Sequence, residues 1–370
     1  MDDPGRPVAP PRGDGDSVLS AATAYSVSSG LAARLAQLGI SIAVSSYESN
    51  LLYCVGLNRD GGINIHEALM PRPMGICRDG RDGLVVMLAH QVLRLENVLE
   101  PGQVANGLFD AFYVPRRIHL TGLLDAHDVG VDAGDRVVFV NTRFNCLATT
   151  SNRHSFRPLW RPPFVTRLVD EDRCHLNGLA MQDGVARYVT AASRSDTIDG
   201  WRDRRADGGV VVDVASNEVV CAGLSMPHSP RVHAGELWLL NSGTGEIGVV
   251  RDGRFEARMF CPGFLRGLAF HGRHAVVGLS RPRYKRFEGL ALGQRLREAD
   301  SEPWCGVQIM DLERGVCVDW LRIDGAIREL YDVEVLPGVS CPYIAAPHAE
   351  EAAGFITIAP DAAADDDPAC

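Results

Sequence analysis

Three of the eleven histidines, His127, His175 and His228, stand 48 and 53 residues apart, each at the head of a short apolar run (DAHDVGV, CHLNGLA, MPHSPRV). Neutral imidazole is the commonest protein ligand for zinc, iron, manganese or copper, and three that converge beside an open position form a catalytic centre. The set therefore points to a divalent transition metal (Zn, Mn, Fe or Cu) acting as a Lewis acid. Guanidinium groups suit bidentate capture of a carboxylate or phosphate. Arg72, Arg231 and Arg266, with Asn177, are accordingly the candidate substrate-binding residues, and Asp128, Tyr331 and Asp332 the candidate catalytic groups that move protons. Each reading has a plain counterpart. Histidines in a wet channel can hydrogen-bond backbone or water without a metal, and the arginines can pair with Asp128, Asp332 or Glu329.

These residues fall at the starts of six similar stretches: RPMGIC, DAHDVGV, CHLNGLA, MPHSPRV, FLRGLAF and LYDVEVL. With Gly75, His127, Asn177, His228, Gly267 and Asp332 as markers, the steps are 52, 50, 51, 39 and 65 residues. A period of about 50 residues suits a four-stranded propeller blade. Apolar bursts of four to seven residues, punctuated by Gly, Asp and Asn, read as strands throughout. Only 30–39 and, more weakly, 290–299 read as helix. The last stretch runs out of chain while SIAVSS, LLYCVGL and INIHEA are surplus at the N-terminal side. The expected fold is all-β, a six-bladed propeller closed by N-terminal strands. The long connections 149–167, 193–209 and 281–304 are expected to cover one end of the channel, whose mouth would be solvated. A surface-type arginine pair there contributes about 0 to 1 kcal/mol.

Composition narrows the function. The 370 residues are 46% hydrophobic and carry a net charge of −10, with no concentration of base, so a nucleic-acid role is not expected. The longest apolar run, 83–89, is far short of the roughly 20 residues that span a bilayer. No basic segment followed by an apolar one opens the sequence. A cytoplasmic chain away from membranes is expected. Its ten cysteines include no C-x-x-C pair, which favours reduced thiols. Cys146 and Cys174 could be reactive, but read better as small buried hydrophobes. Residues 1–16 and the acidic 348–370 are expected to be disordered tails around a single domain, 30–347.

The motifs CHLNGLA, SMPHSPR, ELWLLNSGTG, PGFLRGLAF, VVGLSRPR and ELYDVEVLPG, with VNTRFNCLATTS and PLWRPPF, resemble a bacterial family of conserved hypothetical proteins that contain a domain of unknown function, over roughly residues 30–347. More distantly, the architecture is similar to the six-bladed strictosidine-synthase and gluconolactonase-like enzymes. That resemblance implies a channel metal held by Glu, Asn and Asp. This sequence has His127, His175 and His228 where those use oxygen ligands, with only Asn177 and Asp332 in keeping, which implies a softer metal and argues against lactonase activity. The leading expectation is a metal-dependent lyase, isomerase or hydrolase acting on a small anionic molecule. The alternative is a propeller without catalysis that binds a ligand, or a protein partner through its Arg/Trp-rich loops. A regulatory module whose acidic tail recruits a partner ranks last.

Overall fold

The computed structural model describes residues 23–80, 82–282 and 289–358. Its strands are short because two-residue hairpins keep reversing the chain. Asp183–Gly184, Ala234–Gly235 and Asp252–Gly253 all adopt positive φ, the conformation of the turn whose twist matches paired strands. Middle strands such as Gly83–Met87 and Cys305–Asp311 are buried along their whole length, since each sheet is covered on both faces by its neighbours. The apolar clusters accordingly lie between sheets. Val138, Val140 and Leu147 of one pack against Leu179, Val189, Val210 and Val212 of the next.

Six antiparallel sheets form the ring. Blade 1 runs outward from Ile76–Arg78, blade 2 from Ala126–Val131, blade 3 from Leu176–Gln182, blade 4 from Pro227–His233 and blade 5 from Phe264–His271. The sixth blade combines the inner strand Asp332–Pro337 with Ile40–Ser46, Leu51–Leu57 and Ile63–Leu69. The expected closure by N-terminal strands is therefore present. The segments that flank the ring strands in sequence then brace that blade. Ala24–Val27 adds to the outer edge of blade 5 while the Tyr25 hydroxyl donates to Glu67 of the closing blade. At the other end Pro342–Ile344 pairs in parallel with the outer strand of blade 1, Ala111–Leu120. There the His66 ring stacks on Tyr343 at 4.0 Å and its Nε2 bonds the Ile344 carbonyl at 2.9 Å.

Some expectations change. The segment 149–167 is not only a cover, because Arg157–Trp160 forms the outer strand of blade 2. The two helices expected at 30–39 and 290–299 are Leu31–Leu38 and Leu292–Glu298. The expected tail 1–16 lies outside the described residues, as does 359–370. The rest of the expected C-terminal tail is ordered in part: Glu350–Gly354 is helical, and Phe355 stacks on Phe112 at 4.4 Å. No helix among the described residues is long and apolar enough to cross a membrane.

Candidate active site at the channel mouth

The inner strands all start at the same end of the channel, and their first residues decide what stands there. His127, Asn177 and His228 are each the second residue of an inner strand, Arg266 the third, and Tyr331 immediately precedes one. Below them the ring is stitched by a pattern that repeats in every second blade. Asp332, Asp128 and Ser229 accept the amides of Ile76, Leu179 and Gly267 from the following blade, at 2.9, 2.9 and 3.0 Å. Glycine in the amide-donating blades lets the blade after them approach closely: a Cβ on Gly75 would lie 2.9 Å from Asp128 Cα, and one on Gly267 2.5 Å from Val333 N.

The hydrogen-bond network fixes the imidazole tautomers. The Thr142 hydroxyl donates to the Leu176 carbonyl at 2.6 Å, so its oxygen accepts from His127 Nδ1 at 2.7 Å, and the Asp125 carbonyl accepts from the same nitrogen at 2.8 Å. Ser242 and Met226 hold His228 Nδ1 in the same way, at 3.2 and 2.9 Å. His175 Nδ1 donates to Asp172 Oδ2 at 2.7 Å. In His127 and His228 Nε2 is left with its lone pair. His127 and His175 stand edge to face with centroids 4.8 Å apart, and Tyr331 lies 5.4 Å from His127. His228 Nε2 is 3.5 Å from Asn177 Nδ2. The Arg266 guanidinium lies over the Tyr331 and Phe264 rings, at 4.8 and 5.6 Å.

Burial and charge act together on these groups. Burial, then the neighbouring His175, pushes His127 down to about 3, with Arg266 adding to the effect against the pull of Asp125. Burial, then Arg266, holds His228 well below the usual histidine range. Both rings are neutral at pH 7. Burial raises the Asp172 carboxyl, but His175 more than reverses this and leaves it below its usual range. Arg266 is only 6% exposed, so the mouth is not the solvated rim expected from sequence. Trp201, from the connection 193–209, stacks on the His175 ring at 4.1 Å, and Leu290 from 281–304 packs beside it. These two connections do cover this end.

Four candidate residues stand elsewhere. Arg72 is on the exposed rim, over the Tyr47 ring and 4.0 Å from Asp125, because its turn precedes the strand. Arg231 is held one layer down by Asp128 at 2.9 Å and Asp332 at 3.7 Å, which is the plain ion-pair alternative. Asp128 and Asp332 themselves carry backbone amides. Burial pushes the Asp332 carboxyl up to about 8, with Asp128 adding to it against the pull of Arg231. Cys146 and Cys174 are fully buried, and burial raises both thiols, Cys146 to about 12, as expected of inert hydrophobes. Asp172 and Trp201 were not singled out from sequence, although D-x-x-H before an inner strand was a readable signal for the first.

A family model for a domain of unknown function, DUF4915, matches residues 29–345. The chain belongs to that family. No curated protein matches this DUF4915 chain in sequence. Among solved structures it is similar to a chain of a nidogen/laminin complex, at 11% identity over 81% of this chain and 99% of that one, TM-score 0.49. It is also similar to virginiamycin B lyase from Staphylococcus aureus, at 11% identity over 82% and 99%, TM-score 0.39. A third similar structure is a gluconolactonase from Xanthomonas campestris, at 14% identity over 70% and 78%, TM-score 0.42.

The tautomers of this DUF4915 site would suit a metal, but its arrangement does not. Among the described residues no group of three or more His, Cys, Asp or Glu side chains is placed to hold an ion. Arg266 also brings a fixed positive charge, which already disfavours protonation of His127 and His228. The three histidines thus meet the chemical requirement for ligands and not the geometric one.

Proposed function

We propose that the chain is an acid–base enzyme of the lyase, isomerase or hydrolase type, acting on a small anionic molecule at the channel mouth. The observation that carries this reading is the His175–Asp172 pair beside neutral His127, in a water-poor site that also contains Arg266. Asp172 fixes Nδ1–H of His175, which leaves Nε2 as the base, and stabilises the imidazolium formed when Nε2 takes a proton. Arg266 attracts the anion. Once bound, that negative charge offsets the effect of Arg266 on His127 and His228 and raises their affinity for a proton. Binding and basicity thereby reinforce one another. His127, Tyr331 and Asn177 are left to return a proton or orient the substrate.

The test is a panel of small carboxylates, lactones and phosphate esters, with products followed by mass spectrometry for the wild type, His175→Gln and Arg266→Lys. Turnover of an anionic compound that both variants lose while melting near the wild type supports the reading. Binding without turnover across the panel would favour the alternative, a ligand-binding propeller. Metal analysis of the untagged protein supplies the remaining arm. One equivalent of bound transition metal would mean that the histidines rearrange around an ion, restoring the metal-dependent version.

A further inference from the structure

Trp201 precedes the short helix Arg202–Arg204, and its ring lies almost parallel to His175, at 22°. It is 7% exposed, packed among Ala192, Met226, Phe264 and Leu290. Those contacts account for the body of the ring and leave its one polar atom unexplained. Nε1 is shut off from solvent and has no hydrogen-bond partner among the described residues. Buried N–H groups are nearly always paired, because an unmade bond forfeits the hydration given up on burial. Trp238 Nε1 and Tyr53 Oη are in the same state, but they sit in apolar clusters between blades. Trp201 instead touches a histidine of the proposed site.

The position of this donor is fixed. Asp199 N donates to the Asp172 carbonyl at 2.8 Å, and Arg173 ties Asp196 to Glu171 at 2.8 and 2.7 Å. The segment that carries Trp201 is thus pinned to the same turn that supplies Asp172 and His175. Phe264 packs against the apolar cluster that holds Trp201 and lies under the Arg266 guanidinium. A shared aromatic neighbour thus brings a cation and a neutral N–H donor to the same end of the channel.

We propose that Trp201 is a specificity-determining residue, its Nε1–H donating to an uncharged oxygen of a substrate whose carboxylate is drawn to Arg266. The site would then select oxo- or hydroxy-acids over acids with no second acceptor. This inference rests on the anion reading of the mouth. Its test compares pyruvate with methacrylate, which has nearly the same shape but a methylene in place of the keto oxygen, by titration calorimetry on the wild type and Trp201→Phe. The wild type should bind pyruvate about 5- to 10-fold more tightly, the effect of one buried hydrogen bond. Trp201→Phe, which keeps the stack, should bind the two within about 2-fold of one another. A preference that survives in Trp201→Phe, or equal binding of both acids by the wild type, overturns the role of Trp201 and leaves the anion site standing. Binding of neither acid overturns the anion site and the inference with it. Should Trp201→Phe melt well below the wild type, the indole N–H resonance of wild-type Trp201 replaces it. That resonance must shift with pyruvate and stay still with methacrylate, and the reverse or no shift sinks the proposal.

Discussion

His127 and His228 sit two blades apart in the same kind of cage, each Nδ1 held by the carbonyl two residues back and by a hydroxyl just past the end of the next strand. Tyr331 occupies the related place a further two blades on. The intervals, 101 and 103 residues, show that the chemical repeat is a pair of blades, although the structural repeat is one. One blade of each pair supplies a ring at the mouth and an acceptor below it, and the other supplies the backbone amide that meets the acceptor.

Acid should therefore unfold the protein through its imidazoles. His127 and His228 lie below the ordinary value of about 6.5 in the folded chain. Between about pH 3 and 6.5 the unfolded chain binds protons that the folded one does not, so stability falls as pH falls, by at most about 1.4 kcal/mol per pH unit for each ring. Urea midpoints should drop from pH 7 to pH 5, and less steeply in His127→Gln. Equal slopes would mean that the ring is charged in the folded state.

Asp332 should act in the opposite sense. Its folded value is raised to about 8, so the folded chain holds an extra proton between about pH 4 and 8, and stability is lost as pH rises through that window. Asp332→Asn should flatten the decline from pH 6 to 8.5, read from the same urea midpoints.

Asp172→Asn should leave the fold intact and cost about 10²- to 10⁴-fold in turnover of whichever panel compound proves active, because the amide no longer stabilises a His175 imidazolium. The ¹⁵N shifts of His175 should report a changed tautomer. Full activity with an unchanged tautomer would remove His175 from the base role.

Arg231→Met should destabilise by about 3 to 5 kcal/mol in urea unfolding, because it strands the buried Asp128 carboxylate without its ion-pair partner. Adding Asp128→Asn should recover part of the loss. An unchanged midpoint would show that the cluster does not hold the blades together.

Removing residues 1–16 should leave solubility and melting unchanged, whereas removing 1–60 deletes Ile40–Ser46 and Leu51–Leu57 and exposes the inner strand Asp332–Pro337. That second protein should be insoluble. Equal solubility of the two truncations would refute closure by the N-terminal strands.

The ring, its six blades and its closing strands were legible because strand-length apolar runs and a recurring lead are local signals. The depth of each residue in the channel was not. His127 and Asp128 are adjacent in sequence, but successive residues on a strand point to opposite faces, so one joins the mouth and the other stitches blades. Arg231, three residues after His228, falls a layer lower for a related reason: a bulge shifts the register between them. Asp172 could have been found by its spacing to His175. Trp201 could not, since nothing in the segment 193–209 says which residue turns inward.

The bond from Asp332 N to Ser45 Oγ joins residues 287 apart, within the blade that completes the ring. During synthesis, Ile40–Ser46 leaves the ribosome long before its inner partner strand exists. At about 5–20 residues per second, roughly 15 to 60 s pass before that strand arrives. For this interval the nascent chain presents an apolar sheet edge with nothing to pair it. A strand made late seals a blade begun early, so a chain that stops before Asp332–Pro337 is an open, adhesive arc in place of a ring.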